Sequence, residues 1–145
     1  MPRSYVLNYV HCVFATKRRT STIREPESLW AYIRGIARNL HFDVLAIGGT
    51  DNHVHVLLTL PAGRNLSDVM RDTKANSSRH LRLNSKAFAW QDGYAGISVS
   101  PSQVPIVKNY IENQKEHHRV HPFENEYLAL LERAGASFDR DEVLG

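Results

Sequence analysis

The chain has 145 residues, of which 42% are hydrophobic and 23% charged, and this size and composition suit one globular domain with a buried core. Its single cysteine, Cys12, excludes an internal disulfide, and its apolar runs are far shorter than the roughly 20 residues that span a bilayer. Because no apolar signal run begins the sequence, we expect a cytoplasmic protein without membrane attachment.

Charge is distributed unevenly along the chain. Residues 1–121 hold 16 Lys/Arg and 9 Asp/Glu, whereas residues 122–145 hold 2 Lys/Arg and 6 Asp/Glu. The basic part suits a polyanionic partner, and nucleic acid is the commonest polyanion. The sequence therefore favours nucleic acid as the partner of residues 1–121.

The first half of the chain predicts three strands and one helix. Alternating hydrophobic residues over 5–14 predict the first strand, which ends in the basic turn at 17–19. Pro26 opens a helix with one apolar face that continues to Leu40. Strands at about 42–48 and 53–60 then form a hairpin around a polar turn.

The second half predicts a second helix at about 65–83, a fourth strand at about 94–100 and two further helices. Ser102 is the expected N-cap of the third helix, which continues to about His118. A final helix at about 123–134 precedes a polar tail.

The order β, α, β, β, α, β is that of the ferredoxin-like split βαβ fold, an α+β sandwich. Its antiparallel sheet carries two helices on one face and leaves the other face open. The third helix, which follows the last strand, can lie across that open face or reach to a partner subunit.

His53 and His55 are the first candidate functional residues. The two-residue period of a strand places both imidazoles on one face while Val54 points into the core. Two neutral imidazoles one pleat apart can chelate a divalent cation. Since the pair starts a strand just after a polar turn, we expect solvent and substrate to reach it.

Tyr110 and Gln114 form the second candidate pair. They are four residues apart and therefore lie on one face of the third helix. The apolar residues Ile106, Val107 and Ile111 supply the packing stripe of that helix, so Tyr110 falls at the edge of the stripe, where its phenol can face a site.

Basic residues on the second helix form the third candidate group. Arg71, Lys74 and Arg82 share one stripe of that helix, and Arg79 lies nearby. This layout suits a groove for single-stranded DNA. The basic turn would extend the groove with three more residues, namely Lys17, Arg18 and Arg19.

The remaining histidines are interpreted as structural. His117, His118 and His121 lie near the end of the third helix, where histidines complement the helix dipole. His11 and His41 carry no motif, and Cys12 has no evident base or metal partner.

Together these segments resemble the single-tyrosine HUH transposases of the 200/605 insertion-sequence group and the related repeat-associated tyrosine transposases. HUH stands for His, hydrophobic, His, and residues 51–58 correspond to that motif. Residues 90–94, 98–100 and 109–114 resemble the segments around the family's nucleophile. The resemblance extends from about residue 5 to about residue 121, which implies a catalytic domain at 1–121 followed by a C-terminal helix and acidic tail at 122–145.

The resemblance implies a role for each matched position. His53, His55 and Gln114 match the metal ligands, and Tyr110 matches the nucleophile that forms a 5′-phosphotyrosine intermediate. Members of the family use Mg²⁺ or Mn²⁺ and act on single-stranded DNA with hairpin ends. They form homodimers with composite active sites, in which the tyrosine helix of one subunit lies against the histidines of the other.

Two other functions stay open at the level of sequence. One is a non-catalytic module that binds single-stranded nucleic acid, because split βαβ sheets commonly bind single strands with exposed aromatics and the first strand carries Tyr5 and Tyr9. The other is a metal phosphodiesterase that uses water, in which His117 or His118 adds a ligand.

Overall fold

The computed structural model describes residues 4–119 and 121–144. Within this part of the chain, no helix combines the length and apolarity needed to cross a bilayer. The strands are β1 Tyr9–Ala15, β2 Asp43–Gly49, β3 His53–Thr59 and β4 Ala95–Val99. The helices are α1 Pro26–Leu40, α2 Leu66–Leu81, α3 Val104–Glu112, α4 Gln114–His118, α5 Phe123–Arg133 and α6 Arg140–Leu144.

The four strands form one antiparallel sheet in the order β2-β3-β1-β4. This confirms the predicted α+β architecture and its ferredoxin-like strand order. The two central strands, β1 and β3, are buried along nearly their whole length because both faces of the sheet are covered. Alternate residues of β3 therefore point to opposite faces of the sheet, one covered by α1 and α2 and the other by the helices that follow β4.

One face of the sheet packs against α1 and α2 to form the main hydrophobic core. Helix α1 contributes a stripe at helical spacing, Leu29, Ile33 and Ala37, all at most 3% exposed. Opposite them lie residues of β1 and β3, and each fully buried aliphatic side chain stabilises the fold by about 1.5–3 kcal/mol. These sheet residues are Val10, Cys12, Phe14, Val54, Val56 and Leu58.

The other face of the sheet is covered by α3, which packs across β2 and β3 of its own chain. Ile111 is fully buried between Ala46 and Leu57. Helix and sheet approach so closely that a Cβ atom added at Gly48 would lie 2.2 Å from the backbone oxygen of Ile111. In this structure of the single chain, the third helix lies across its own sheet.

The third helix differs from its prediction at both ends. Ser102 is not the N-cap: it lies in a 3-10 turn, Pro101–Gln103, and α3 begins at Val104. The helix is also interrupted at Asn113, whose side-chain amide donates to the backbone oxygen of Asn109 at 2.9 Å. The backbone of Asn113 is non-helical (φ −101°, ψ 18°), and Gln114 starts a separate short helix.

Smaller differences concern the two ends of the described chain. Strand β1 begins at Tyr9 rather than at residue 5, and Tyr5 is 87% exposed. In the segment predicted as a polar tail, residues 140–144 form α6. Tyr9, in contrast to Tyr5, packs at the edge of the cluster under α3.

We predict that Gly48→Ala separates α3 from the sheet. The new methyl group would collide with backbone rather than with a flexible side chain. The substitution should therefore destabilise the packing of α3 on the sheet by about 1–3 kcal/mol. Hydrogen exchange of the amides of residues 104–112 measures the release of the helix.

Gly35→Ala is the matched control, because the nearest atom to its added Cβ is the end of the Arg38 side chain at 3.8 Å. This change in α1 should stabilise the protein slightly, by about 0.5–1 kcal/mol. Equal protection of α3 in the two variants would contradict the steric argument.

Candidate active site

His53 and His55 lie side by side on the sheet face opposite the main core, as their spacing predicts. Both side chains are 0% exposed, so the expectation that solvent reaches them directly is wrong. The covering elements are α4 and α5, and the ring of Phe123 from α5 stacks on His53 with centroids 4.3 Å apart. The sequence motifs do not indicate where α5 packs.

Each histidine is held by a partner at its Nδ1 atom. His53 Nδ1 lies 2.8 Å from Asn52 Oδ1 and 3.0 Å from Thr50 Oγ1, and His55 Nδ1 lies 2.9 Å from His11 Nε2. The Nε2 atoms of both rings are therefore directed inward. An outer partner that fixes one ring nitrogen is typical of metal-binding histidines, so His11, interpreted from sequence as structural, supports the site from behind.

Tyr110 and Gln114 reach this pair from the same chain. Gln114 Oε1 lies 3.0 Å from His53 Nε2, and the amide nitrogen of Gln114 donates to Glu126 Oε2 at 3.2 Å. The hydroxyl of Tyr110 donates to the same Oε2 atom. The two predicted pairs of residues thus converge on one pocket within a single protomer.

Glu126 of α5 lies at the centre of this pocket and is the main residue that sequence reasoning missed. Its Oε1 atom lies 3.0 Å from His55 Nε2 and 2.9 Å from His118 Nε2, and its Oε2 atom lies 3.2 Å from His117 Nε2. One available signal was its place in an apolar helical stripe, between Phe123 and Tyr127.

His118 was interpreted as a structural complement to the helix dipole, yet its side chain belongs to the cluster. It follows Gln114 by four residues, as Gln114 follows Tyr110, so the three side chains share one side of α3 and α4. That spacing was the signal that could have identified it. His121, in contrast, is exposed and lies outside the cluster.

Burial controls the electrostatics of the pocket. It lowers the pKa of His53 to about 3, assisted by the neighbouring His55, and it also lowers the pKa of His55. Burial opposes ionisation of Glu126, but hydrogen bonds from His118 and His55 outweigh it and lower the pKa of the carboxyl. Burial and the hydrogen bond to Glu126 raise the pKa of Tyr110. Neutral imidazoles, a carboxylate and a protonated phenol therefore share the pocket.

The donor set of the pocket fits a divalent cation. His53 Nδ1 faces Asn52 Oδ1 and His53 Nε2 faces Gln114 Oε1, and both oxygens are acceptors. A neutral imidazole has only one N–H to donate. A cation between His53 Nε2 and Gln114 Oε1 would be coordinated by both atoms, so that two acceptors would no longer face each other. The carboxylate, imidazole and amide groups of the pocket are all possible metal ligands.

Several predicted DNA-binding residues line one surface groove. Lys17, Arg18, Lys74 and Arg82 lie along it, together with residues 89–93. Lys74 donates to the backbone oxygens of Gln91 and Gly93, at 2.8 and 2.7 Å, and burial lowers its pKa. Arg82 donates to a backbone oxygen as well, so these two side chains also hold the wall of the groove.

The other basic residues lie outside this groove. Arg71 pairs with Asp68 and Asp72 on the exposed face of α2, and Arg79 is exposed on the same helix. Arg19 is hydrogen-bonded to Glu124 of α5. The predicted basic stripe is therefore divided between two surfaces rather than continuous.

One protein-family model matches most of the chain. A family model described as "Transposase IS200 like" matches residues 4–114, and the chain belongs to this family. Among curated protein sequences, none matches the chain significantly.

Two solved structures share the fold. A candidate transposase from Deinococcus radiodurans R1 superimposes with a TM-score of 0.60 and 25% identity, over 79% of this chain and 96% of that one. A REP-associated tyrosine transposase bound to a REP hairpin superimposes with a TM-score of 0.63 and 20% identity, over 81% of this chain and 73% of that one.

We predict that Asn52→Ala weakens the binding of Mn²⁺ to the full-length chain by about 10–100-fold, since His53 Nδ1 would lose the nearer of the two partners that orient its ring. Isothermal titration calorimetry measures the affinity. Asn84→Ala is the control, because Asn84 is exposed and distant in sequence from the histidines. Unchanged Mn²⁺ affinity in Asn52→Ala would show that the ring is held by other contacts.

Proposed function

We propose that this protein is a transposase that cleaves and rejoins single-stranded DNA at hairpin-marked ends. Tyr110 is the nucleophile, and His53, His55 and Gln114 hold a divalent metal ion, Mg²⁺ or Mn²⁺. The observation that carries the proposal is the convergence of a phenol and several metal-binding side chains in one pocket of a transposase-family chain.

In the cleavage step the phenolic oxygen of Tyr110 attacks the scissile phosphorus. A new bond forms between that oxygen and phosphorus, and the bond from phosphorus to the 3′ oxygen breaks. The segment on the 3′ side of the cut then stays attached to Tyr110 through its 5′ phosphate, and the departing 3′ oxygen of the other segment takes a proton to become a hydroxyl. A different 3′-hydroxyl reverses the step, so the strands are rejoined without an external energy source.

Tyr110 is protonated in the arrangement described here. Its hydroxyl donates to Glu126 Oε2, and a carboxylate neighbour disfavours a second negative charge on the phenol. Glu126 is also the group within reach to accept the phenolic proton. A bound divalent cation would polarise the phosphodiester and supply positive charge that favours the phenolate.

DNA recognition is proposed for the basic surfaces of residues 1–121. The REP-associated relative is bound to a REP hairpin, and a hairpin is the substrate we propose for this chain. Phosphate contacts position a protein on nucleic acid through lysine and arginine side chains. The groove lined by Lys17, Arg18, Lys74 and Arg82 is the proposed path of the strand. Further contacts are proposed for basic residues outside the groove, namely Arg19, Arg71 and Arg79.

A homodimer with composite active sites, which the family resemblance implies, stays a prediction. To form such composite sites, α3 would have to leave its own sheet and dock beside Gly48 of a second protomer. In the described chain Tyr110 and Gln114 already lie against their own histidines. Cleavage within one chain and cleavage in composite sites differ in which chain carries the tyrosine, and the mixing experiment below distinguishes them.

The first test looks for the covalent intermediate. The full-length protein, Mn²⁺ and a labelled single-stranded hairpin substrate should give a protein–DNA adduct that survives denaturation. Tyr110→Phe removes the nucleophilic oxygen and should abolish the adduct, and His53→Ala should reduce it by at least about 100-fold. Tyr32→Phe, a partly exposed tyrosine on α1, is the control and should form adduct normally.

The same assay separates the other functions. Cleavage that persists in Tyr110→Phe without an adduct would indicate a phosphodiesterase that uses water. Hairpin binding without cleavage by the wild-type protein would indicate a non-catalytic binding module, and it would refute the proposal when the hairpin flanks the protein's own gene.

Mixing two inactive variants tests where the site is assembled. If Tyr110 acts on its own chain, a mixture of His53→Ala and Tyr110→Phe should form no adduct, because every site carries one defect. In a dimer with composite sites, half of the sites in a mixed dimer would combine an intact tyrosine with intact histidines. Adduct on the His53→Ala protomer would therefore establish the composite arrangement.

A further inference from the structure

The pocket contains more metal-binding side chains than the family resemblance assigns. Besides His53 and His55, it includes His118 from α4 and Glu126 from α5, and one ligand atom from each of these four lies within 4.8 Å of every other. The resemblance assigns two imidazoles and the amide of Gln114, a set without charge. The clustered set has three imidazoles and one carboxylate.

We propose that His118 and Glu126 are ligands of the metal ion, so that one divalent cation is held by three imidazoles and a carboxylate. The inference rests on the proposed function for the location of the metal site and goes beyond it in the ligands and in the ion. Gln114 then borders the site as an additional neutral oxygen donor.

The distances between the donors support this set. Glu126 Oε1 lies 2.9 Å from His118 Nε2, 3.0 Å from His55 Nε2 and 3.9 Å from His53 Nε2. Around an ion with bonds of about 2.0–2.2 Å, tetrahedral ligand atoms are about 3.3–3.6 Å apart. The three Glu126 distances lie on either side of this range, and the four ligand atoms, which all lie within 4.8 Å of one another, would close by up to about 1.5 Å at their widest separation to hold an ion.

The charge and burial of these side chains also support the proposed ligand set. The side chain of Glu126 is 2% exposed, and those of His53 and His55 are 0% exposed. A buried carboxylate needs a compensating charge, and the Nδ1 atoms of both histidines are already occupied by Asn52 and His11. A divalent ion would compensate the carboxylate beyond its present hydrogen bonds. It would bind the tautomer of His55 that carries its proton on Nδ1, in which Nε2 presents a lone pair instead of donating to Glu126.

This donor set also determines the class of ion. Mg²⁺ prefers an octahedron of oxygen ligands and retains several waters, whereas imidazole ligands suit first-row transition ions such as Co²⁺ and Zn²⁺. Three imidazoles and one carboxylate therefore favour a transition ion over Mg²⁺, so that of the two ions named above Mn²⁺ fits this set better. A substrate oxygen can add as a fifth ligand.

The test is a Co²⁺ titration of the metal-free, full-length protein without DNA, followed by visible absorption and calorimetry. The wild-type protein should give the intense absorption of four- or five-coordinate cobalt, and a large excess of Mg²⁺ should not remove it. Glu126→Gln and His118→Ala should each weaken Co²⁺ binding by at least about tenfold.

Matched controls are available close to both positions. Glu132→Gln makes the same charge change at an exposed site on α5, and His121→Ala removes an exposed imidazole just beyond α4. Both should bind Co²⁺ as the wild type does. Equal affinity in Glu126→Gln and Glu132→Gln would overturn the proposal.

Thermal denaturation of each metal-free variant shows whether that variant folds. Even if one does not, the coordination number of cobalt in the wild-type spectrum still tests the proposed ligand set. The weak absorption of six-coordinate cobalt would overturn the proposal, because it would indicate a water-rich site. The adduct assay tests the transposase function separately from the ligand set. If the wild-type protein binds Co²⁺ as expected but forms no adduct, only the transposase function is refuted. If the wild-type protein forms the adduct but Glu126→Gln binds Co²⁺ as tightly as the wild type, only the ligand set is refuted.

Discussion

The buried carboxylate of Glu126 is the interaction on which the organisation of the pocket depends. It is contacted by side chains from β3, α3 and α4, so a single group joins elements that are far apart in the sequence. Because an unpaired buried charge is costly, these elements cannot separate without exposing the carboxylate to water or replacing its partners. Helix α5 is therefore part of the candidate active site, because it supplies the carboxylate that the other elements contact.

The sequence predicts the scaffold and the residues that lie on regular elements. His53 and His55 follow from the two-residue period of β3, and Tyr110 and Gln114 follow from the spacing of four on a helix. In each case the relation is local, and local geometry is determined by the type of secondary structure. The strand order follows equally from the succession of elements.

The remaining features depend on tertiary packing. The burial of the histidines results from the placement of α5, and no motif before residue 122 determines that placement. Glu126 belongs to the site because α5 turns its apolar stripe toward the sheet, carrying one carboxylate inward with Phe123 and Tyr127. Helical periodicity likewise does not reveal the break between α3 and α4 at Asn113.

The close approach at Gly48 limits how far the tyrosine helix can lie from the sheet. Because the backbone oxygen of Ile111 lies where a Cβ atom of residue 48 would be, any side chain at this position would push the helix outward. Tyr110 and Gln114 flank Ile111 in sequence, one on α3 and the other at the start of α4. The glycine thus sets the depth of the nucleophile and its neighbouring amide, so the reach of both side chains toward the histidines depends on a residue that has no side chain of its own.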